Sequence, residues 1–398
     1  MISLEKAIDI LKDIKLKNEI ENIDTINSLN KVVSEDIQSS INSPPFRKSA
    51  MDGYALNIKT NTQKLTKLKV VGSIYAGDVF EGDILDDECV KIMTGAKIPD
   101  MCNCVVKKED VINNSDHIIV NKEIKPNENI CQIGEDIQKG QILIPKNTKI
   151  TYAHIGILAS SGITKINVYK NKNIALLTTG SEVLDIDNEL EDAKIYNSNK
   201  YLLLSRINEL GYNVNKSLHI EDDLSKLSQT IKNLSLENQI IITTGGVSVG
   251  DKDYIKQSIL DIDGEILFHK VQIKPGSAVL VAKYKNTIII SLSGNPNASL
   301  TTFELIAKPM INRLNNNYNE FIKRETAILV DKYNKKSMVR RFIRGNTYTK
   351  DEIQYVSITQ NNTGNGVIYP MLNSNCLIEI EKGNTGLEIG DKITIIKL

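Results

Sequence analysis

Apolar residues recur at helical spacing near the start of the chain. Leu4, Ile8 and Leu11 would lie on one face of a helix, and Ser3 precedes them as a candidate N-cap. Between residues 43 and 131 the pattern changes to short β-branched runs that are broken by Gly, Pro, Asp and Asn. The sequence therefore predicts a short N-terminal helix and a small, inserted β-rich module.

Strand and helix patterns alternate in the middle of the chain. Apolar runs at 174–178 and 240–243 are separated by helical patterns at 199–210 and 224–234. Such alternation predicts a parallel sheet that is covered by helices on both faces. After residue 325 the helical signal fades and β runs return, which predicts a separate C-terminal β domain.

Length and charge limit the possible functions. The chain has 398 residues, enough for two to four domains of roughly 150 residues each. Lys and Arg total 49, as do Asp and Glu, so no basic excess favours nucleic acid or an anionic membrane. The N-terminus carries charges where a signal peptide is apolar, and no apolar stretch approaches ~18 residues. We therefore expect a cytoplasmic protein with no nucleic-acid or membrane partner.

Cysteine and histidine offer no recognisable site. The five cysteines are scattered, which indicates neither a disulfide framework nor a structural zinc site. The four histidines show no ligand spacing. Histidine-led catalysis is therefore disfavoured.

A glycine-rich segment follows an apolar run in the second half of the chain. Gly245, Gly246 and Gly250 allow the backbone to direct its N–H groups at an anion, and a following helix would add its positive end. Asp251 and Asp253 stand beside this turn, and a carboxylate next to a phosphate favours a Mg²⁺ ion between them. An ordinary tight turn whose acids serve the helix dipole is an equal alternative. The segment matches neither the P-loop nor the full dinucleotide signature.

Further polar groups fall where the predicted strands end, the edge at which open parallel sheets bind ligands. Glu182 follows the first strand, although an exposed first-turn glutamate would show the same pattern. Asp222 follows a short strand and suits metal binding and helix capping equally. Lys270 and Lys274 suit phosphate or another oxyanion, although a solvated lysine is the commoner fate. Residues 293–299 are predicted to form a further tight turn and the start of a helix.

Seven spaced motifs run through the chain. They are Ser49-Ala50-Met51-Asp52-Gly53-Tyr54-Ala55, Met93-Thr94-Gly95-Ala96 with Pro99, Gly134-Glu135-Asp136-Ile137, Thr179-Gly180-Ser181-Glu182, the 245–254 loop, Lys274-Pro275-Gly276 and Gly294-Asn295-Pro296. In identity and order they resemble the molybdopterin molybdenumtransferases, the MoeA-type enzymes that are similar to the E domain of gephyrin. The motifs span roughly residues 43–299, and the C-terminal β region fits the family in kind only.

The resemblance implies a multidomain fold of α/β and β parts. Residues 1–40 and 133–170 would form an N-terminal discontinuous linker and dimerisation domain, and residues 41–132 an inserted β-rich domain. Residues 171–315 would form a central three-layer α/β molybdopterin-binding domain. Residues 320–398 would form a C-terminal β-barrel.

The resemblance also implies an activity. Such an enzyme is a homodimer that takes adenylylated molybdopterin and molybdate, inserts molybdenum in a Mg²⁺-dependent step and releases AMP to give molybdenum cofactor. Its partners would be a molybdopterin adenylyltransferase and the molybdoenzyme targets. The site residues that match the family's are Asp52, Asp136, Glu182, Asp222, Asp253, Lys270 and Lys274. We expect Glu182, Asp222 and Asp253 to surround Mg²⁺, and Asp52 to reach the site across the dimer interface.

The implied cofactor-binding residues are mostly in the turns. They are Thr94, Gly180, Ser181, Gly245, Gly246, Ser248, Gly250, Pro275, Gly276, Ser293, Gly294, Asn295 and Pro296. Ser293 departs from the family, where many members have proline, and this frees a backbone N–H and loosens the turn.

Two alternatives stay open at this point. A molybdopterin adenylyltransferase resembles the α/β domain alone, and the Asp52 and Thr94 motifs argue against it. A non-catalytic molybdopterin-binding scaffold would tolerate loss of the acidic residues, all five of which are present. The sequence does not separate molybdate from tungstate as substrate, since the two oxyanions are nearly isosteric.

Overall fold

The computed structural model describes residues 1–58, 66–114, 116–120, 122–246, 254–318, 322–359 and 366–398. Within these ranges the helices are α1 (Leu4–Asp13), α2 (Tyr152–Ser160), α3 (Ser198–Glu209), α4 (Leu224–Leu234), α5 (Tyr254–Asp261), α6 (Pro296–Thr302) and α7 (Lys308–Leu314). A π-helical segment (Phe303–Ala307) joins α6 to α7. Short 3₁₀ turns lie at Thr25–Asn27, Lys108–Asp110 and Tyr369–Asn373.

The strands are short and numerous. They are β1 (Ile20–Asp24), β2 (Ile37–Gln38), β3 (Lys48–Ser49), β4 (Gly53–Leu56), β5 (Thr66–Ile74), β6 (Glu88–Ile92), β7 (Cys104–Lys107), β8 (Val111–Asn114), β9 (His117–Val120), β10 (Ile130–Cys131), β11 (Ile142–Ile144), β12 (Lys165–Tyr169), β13 (Ile174–Thr179), β14 (Val183–Leu184), β15 (Ile195–Tyr196), β16 (Val214–Ile220), β17 (Ile240–Thr244), β18 (Glu265–His269), β19 (Ile273–Lys274), β20 (Leu280–Tyr284), β21 (Thr287–Leu292), β22 (Arg324–Leu329), β23 (Arg340–Lys350), β24 (Ile353–Ile358), β25 (Cys376–Ile380) and β26 (Lys392–Lys397).

The chain divides into two compact units. The first contains Met1–Glu21, Asn30–Val32 and Tyr169–Leu398, and the second contains Asn22–Leu29 and Val33–Val168. The finer division into four domains stays a prediction.

The first unit begins with the expected helix. The Ser3 hydroxyl accepts a hydrogen bond from the Lys6 N–H at 3.1 Å, which caps α1. Leu4 and Leu11 are buried against the α/β core. The prediction of an N-terminal helix is therefore confirmed.

A six-stranded sheet forms the centre of the first unit, in the order β16-β13-β17-β21-β20-β18. The first four strands are parallel, as the alternating pattern predicted, but β20 is antiparallel to both of its neighbours. Only Lys285 and Asn286 connect β20 to β21, and so short a link can join only antiparallel strands. The sheet is therefore mixed rather than purely parallel.

Alternate residues of the central strands enter different cores. Ile240 and Ile242 pack in one cluster with residues of α1, α3, α6 and α7. Ile241 packs in the other, with residues of α4 and α5. Burial on both faces explains the unbroken apolar runs in these strands, and the predicted three-layer α/β arrangement is confirmed.

The C-terminal part of the first unit is a closed barrel. Strands β23, β24, β22, β26 and β25 are hydrogen-bonded in that order, and β23 also pairs with β25, which closes a ring of five strands. The barrel core includes Leu329, Ile343, Val356 and Ile378. The predicted C-terminal β-barrel is confirmed.

The second unit is rich in β structure, as predicted. Its largest sheet has the order β7-β4-β6-β5-β9-β8. Tyr54 and Leu56 of β4 pack in one cluster and Ala55 in another, so this sheet buries both faces. Across the described parts of both units, no helix is long and apolar enough to cross a membrane.

Candidate active site

The strand ends of the central sheet lie side by side. Thr178 is in register with His219 and Thr244, and Thr244 with Leu292. In the sheet, the next strand after β13 is β16, which lies on one side of β13. The strands after β17 are β18, β20 and β21, which lie on the opposite side of β17. Open α/β sheets bind ligands where the strand order reverses in this way. A cavity of about 770 Å³ opens at this edge.

Two glycine turns line the cavity. Gly245 has a φ of +89°, and a Cβ added there would lie 2.5 Å from the carbonyl oxygen of Thr179. Gly294 lies in the turn after β21 and packs against Gly245, since a Cβ added to Gly294 would lie 3.5 Å from the Cα of Gly245. Only glycine permits this conformation and approach at Gly245. The backbone is thereby exposed to the cavity, as a phosphate-binding turn requires.

Two carboxylates line the same cavity. Glu182 follows β13 and Asp222 follows β16, and both residues are exposed. The neighbouring Asp223 caps α4, since its Oδ1 accepts a hydrogen bond from the Lys226 N–H at 2.8 Å. The alternative interpretation of Asp222 as the cap is therefore wrong, which leaves its carboxylate available to a ligand.

The loop that carries Glu182 is anchored to α3. Asp185 accepts hydrogen bonds from the Lys200 ammonium and the Tyr201 hydroxyl. These bonds, that from Lys200 foremost, lower the pKa of Asp185 to about 2. The Lys194 Nζ donates to the Ser181 carbonyl oxygen at 2.7 Å. This anchor positions the segment next to the cavity, and nothing in the local sequence pattern indicated it.

The stabilisation from Asp185 is expected to disappear in acid. Its pKa lies below the ordinary value of 3.8, so the contribution is complete above about pH 4 and is lost as the pH falls toward about 2. Thermal unfolding of the unsubstituted protein and Asp185→Asn should show the largest Tm difference near neutral pH. The exposed Asp187→Asn on the same loop is the control. A difference that stays constant down to about pH 2.5 would contradict the assignment.

The turn after β21 is closed by side chains. The Ser293 Oγ accepts a hydrogen bond from the Asn295 N–H at 3.3 Å. This bond restrains the turn at the position where many family members have a proline. Asn199 Nδ2 donates to the Gly294 carbonyl oxygen at 2.6 Å. Helix α6 begins at Pro296 and presents its positive end to the cavity. Sequence reasoning missed Asn199, since its partner is 95 residues away.

The structure brings together ten of the predicted site residues. Those that line the cavity are Gly180, Glu182, Asp222, Gly245, Gly246, Gly276, Ser293, Gly294, Asn295 and Pro296. Four others in the same unit do not line it, namely Ser181, Lys270, Lys274 and Pro275. Ser248, Gly250 and Asp253 lie outside the described residues.

Lys270 and Lys274, the two predicted basic site residues, do not line the cavity. Lys270 directly follows β18, whose carboxyl end lies at the same edge of the sheet, and its side chain is half-buried. Lys274 is exposed in β19, which pairs with β23 of the barrel. Their predicted contact with phosphate or oxyanion stays a prediction.

Asp52 belongs to a separate polar cluster in the second unit. Its Oδ1 accepts hydrogen bonds from the Thr94 N–H at 2.9 Å and from the Thr94 hydroxyl at 2.8 Å. The Lys108 Nζ lies 3.6 Å from Oδ2. The bonds from Thr94 lower the pKa of Asp52. The Asp52 and Thr94 motifs therefore belong to one cluster, in which Thr94 orients the carboxylate of Asp52.

Asp136 lies in a different part of the second unit. Its N–H donates to the Ser43 carbonyl oxygen at 3.0 Å, and its side chain is exposed. Within the described parts of the chain the carboxylate has no hydrogen-bond partner. Asp136 is thus free to meet a ligand or another chain.

The cavity residues fit a Mg²⁺ ion. Residues 1–58, 66–114, 116–120, 122–246, 254–318, 322–359 and 366–398 contain no cluster of three acidic, histidine or cysteine side chains that could enclose a metal by itself. Mg²⁺ usually takes one or two carboxylates and completes its shell with water and substrate phosphates. Glu182 and Asp222, exposed beside the glycine turns, supply that donor set.

Comparison with known proteins agrees with this geometry. Three family models match: the MoeA N-terminal region (domain I and II) at residues 2–162, a probable molybdopterin binding domain at 175–313, and the MoeA C-terminal region (domain IV) at 326–398. The molybdopterin molybdenumtransferase of Staphylococcus aureus (strain COL) is 34% identical over 93% of this chain and 89% of that protein. That of Staphylococcus epidermidis (strain ATCC 12228) is 34% identical over 99% and 95%.

A solved structure shows the same architecture. The molybdopterin biosynthesis MoeA protein from Pyrococcus horikosii has a TM-score of 0.85 and 26% identity, with 100% of this chain and 99% of that chain covered. Sequence and structural similarity thus extend along essentially the full chain and include the cavity. The chain belongs to the molybdopterin molybdenumtransferase (MoeA) family.

Proposed function

We propose that this protein is a molybdopterin molybdenumtransferase, a transferase of molybdenum cofactor biosynthesis. It takes adenylylated molybdopterin and molybdate, places molybdenum on the dithiolene with Mg²⁺ present and releases AMP. The observation that carries the proposal is the cavity itself, which Glu182 and Asp222 line together with the glycine turns of Gly245 and Gly294. The similarity to named molybdopterin molybdenumtransferases over 89% and 95% of their length supports the same activity.

The proposed roles follow from charge. The turns at Gly245 and Gly294 hold the substrate phosphates through backbone N–H groups, aided by the positive end of α6. Glu182 and Asp222 hold Mg²⁺, which when bound neutralises phosphate charge. Asp253 is the third proposed ligand. Lys270 and Lys274 attract the molybdate dianion to the same edge, because two anionic substrates otherwise repel each other.

We further propose a cytoplasmic homodimer that completes its site with Asp52 and Asp136 from the second unit. Asp52 suits this role because Thr94 and Lys108 hold its carboxylate ionised on the surface. The proposed partners are the adenylyltransferase that makes the substrate and the molybdoenzymes that receive the product.

Sharing of Asp52 between chains has a testable consequence. A heterodimer with Asp52→Ala on one chain and Glu182→Gln on the other keeps one intact site if Asp52 acts on the partner's cavity. Its specific activity should be about half that of the unsubstituted dimer, whereas each homodimeric variant should be nearly inactive. Complete inactivity of the heterodimer would place Asp52 and Glu182 of one chain at the same site.

One reaction distinguishes the proposed activity from its alternatives. The purified protein is incubated with adenylylated molybdopterin, Mg²⁺ and molybdate, and AMP is measured with and without the oxyanion. The proposed transferase releases AMP only when molybdate or tungstate is present, and the comparison of the two gives its preference. An adenylyltransferase would instead form the adenylylated substrate from ATP, and a scaffold would bind without turnover.

A further inference from the structure

A second cavity lies between the α/β layers and the barrel of the first unit. It encloses about 760 Å³ and is lined by α3, by Leu300 of α6, by Arg344 of β23 and by Ser374, which lies just before β25. Tyr196, Ser198 and Ile368 line this cavity and the active-site cavity alike. The two cavities are therefore adjacent compartments, and the roles proposed for Glu182, Asp222 and the glycine turns concern only the first.

Arg344 is the unusual group in this second cavity. Only 5% of its surface is exposed. Nε donates to Asn297 Oδ1 at 3.3 Å and Nη1 to Ser374 Oγ at 3.4 Å, both long bonds to neutral oxygens. Among the described residues, Nη2 has no acceptor and the guanidinium forms no ion pair. Since Arg344 lines the cavity, its unpaired Nη2 is a donor that a ligand in the cavity can use.

The nearby carboxylate is already occupied. Glu304 accepts hydrogen bonds from Arg206 at 2.7 and 3.3 Å and from Lys308 at 3.1 Å. Its charge nevertheless attracts Arg344. Glu304 is thus shared by Arg206, Lys308 and, at longer range, Arg344, and it does not pair directly with the Arg344 guanidinium.

The walls indicate the class of ligand. Leu202, Leu300, Met371 and Tyr201 give the cavity a largely apolar lining. A phosphate dianion requires donors from several groups, and a largely apolar cavity that offers one unpaired guanidinium side would desolvate it without full compensation. A flat heterocycle suits the site better, since its faces pack on apolar and aromatic side chains and its edge carries acceptors for the guanidinium.

We propose that the second cavity is a binding subsite for one of the two ring systems of the substrate, with Arg344 Nη2 donating to an acceptor on the edge of that ring. This inference rests on the proposed function, since adenylylated molybdopterin has a pterin and an adenine joined through phosphates. A ligand of that form spans adjacent cavities, with the phosphates at the glycine turns and one ring beside Arg344. Pterin and adenine are both flat rings with acceptors on their edges, and separate binding measurements with neopterin and AMP distinguish them.

The test is equilibrium binding of AMP, neopterin and inorganic phosphate by calorimetry. Arg344→Met removes the donor, and Ser205→Trp fills the cavity from the exposed face of α3 without altering Arg344. Arg324→Met is the matched control, since it breaks the Arg324–Glu379 pair of the same barrel away from the cavity. Thermal unfolding of each variant reports whether it is folded.

We expect Arg344→Met and Ser205→Trp to weaken one ring ligand about tenfold or more and to leave phosphate unchanged. Loss of AMP affinity assigns adenine to the cavity, and loss of neopterin affinity assigns the pterin. Unchanged affinity of Ser205→Trp for both rings overturns the proposal, as does weaker phosphate binding by Arg344→Met. If the unsubstituted protein binds neither AMP nor neopterin, the proposed function and the ring subsite both fail. If it binds them and Ser205→Trp binds them equally well, only the ring subsite fails.

Discussion

Glu182→Gln and Asp222→Asn are each expected to reduce molybdate-dependent AMP release by about 100-fold or more. Both carboxylates line the cavity beside the glycine turns, and Asp223 rather than Asp222 caps α4. Neutralising either one removes a proposed Mg²⁺ ligand and weakens the hold on the phosphates. Because both side chains are exposed, the free energy of unfolding should change by less than about 0.5 kcal/mol.

The measurement is AMP release over a range of Mg²⁺ concentrations, with thermal unfolding alongside. Each variant should require more Mg²⁺ for half-maximal rate. Glu221→Gln and Glu189→Gln are matched controls, since both residues are exposed neighbours that do not line the cavity. Unchanged turnover and Mg²⁺ dependence in Glu182→Gln and Asp222→Asn would remove both residues from the site.

Gly245→Ala is expected to weaken phosphate binding at the turn. The added Cβ would meet the Thr179 carbonyl oxygen at 2.5 Å in a backbone with a φ of +89°. The turn must shift to relieve this contact, and its N–H groups then lose their alignment. Charge-assisted hydrogen bonds are worth about 1.5–3 kcal/mol each, so AMP affinity should fall about 10- to 100-fold.

Gly140→Ala is the control for Gly245→Ala, and it separates the strain of a left-handed backbone from the steric contact with Thr179. Gly140 has a similar φ of +86°, but nothing lies within 4 Å of an added Cβ. Gly140→Ala should therefore carry the cost of the left-handed backbone, of order 1 kcal/mol, without an effect on AMP binding. If Gly245→Ala bound AMP as tightly as Gly140→Ala does, the turn would not be a phosphate site.

The sequence predicted the layers and the barrel because burial leaves a strong local pattern. Ile240, Ile241 and Ile242 form an unbroken apolar run because neighbouring residues enter different cores. The antiparallel β20 was missed because the link through Lys285 and Asn286 carries no strong turn signal. A single short connection decides strand direction, and periodicity does not report it.

The candidate site was predictable in its turns and carboxylates but not in its supporting contacts. Gly245, Gly294 and Glu182 stand in motifs at strand ends, where their types already indicate a phosphate site. Asn199 and Arg344 act through partners that are distant in sequence, at Gly294 and Asn297. Such contacts exist only after folding, so single-sequence reasoning has no signal for them.

The proposed molybdenum transfer is tested most directly by quantifying both products of one reaction. Purified protein, adenylylated molybdopterin, Mg²⁺ and molybdate are mixed, and the AMP released and the molybdenum bound to the pterin product are quantified together. The proposed transferase yields equal amounts of AMP and molybdenum-loaded product, neither of them without the oxyanion, and both are lost in Glu182→Gln. AMP release that continues without molybdate, or without molybdenum in the product, would show a nucleotide hydrolase and contradict the assignment.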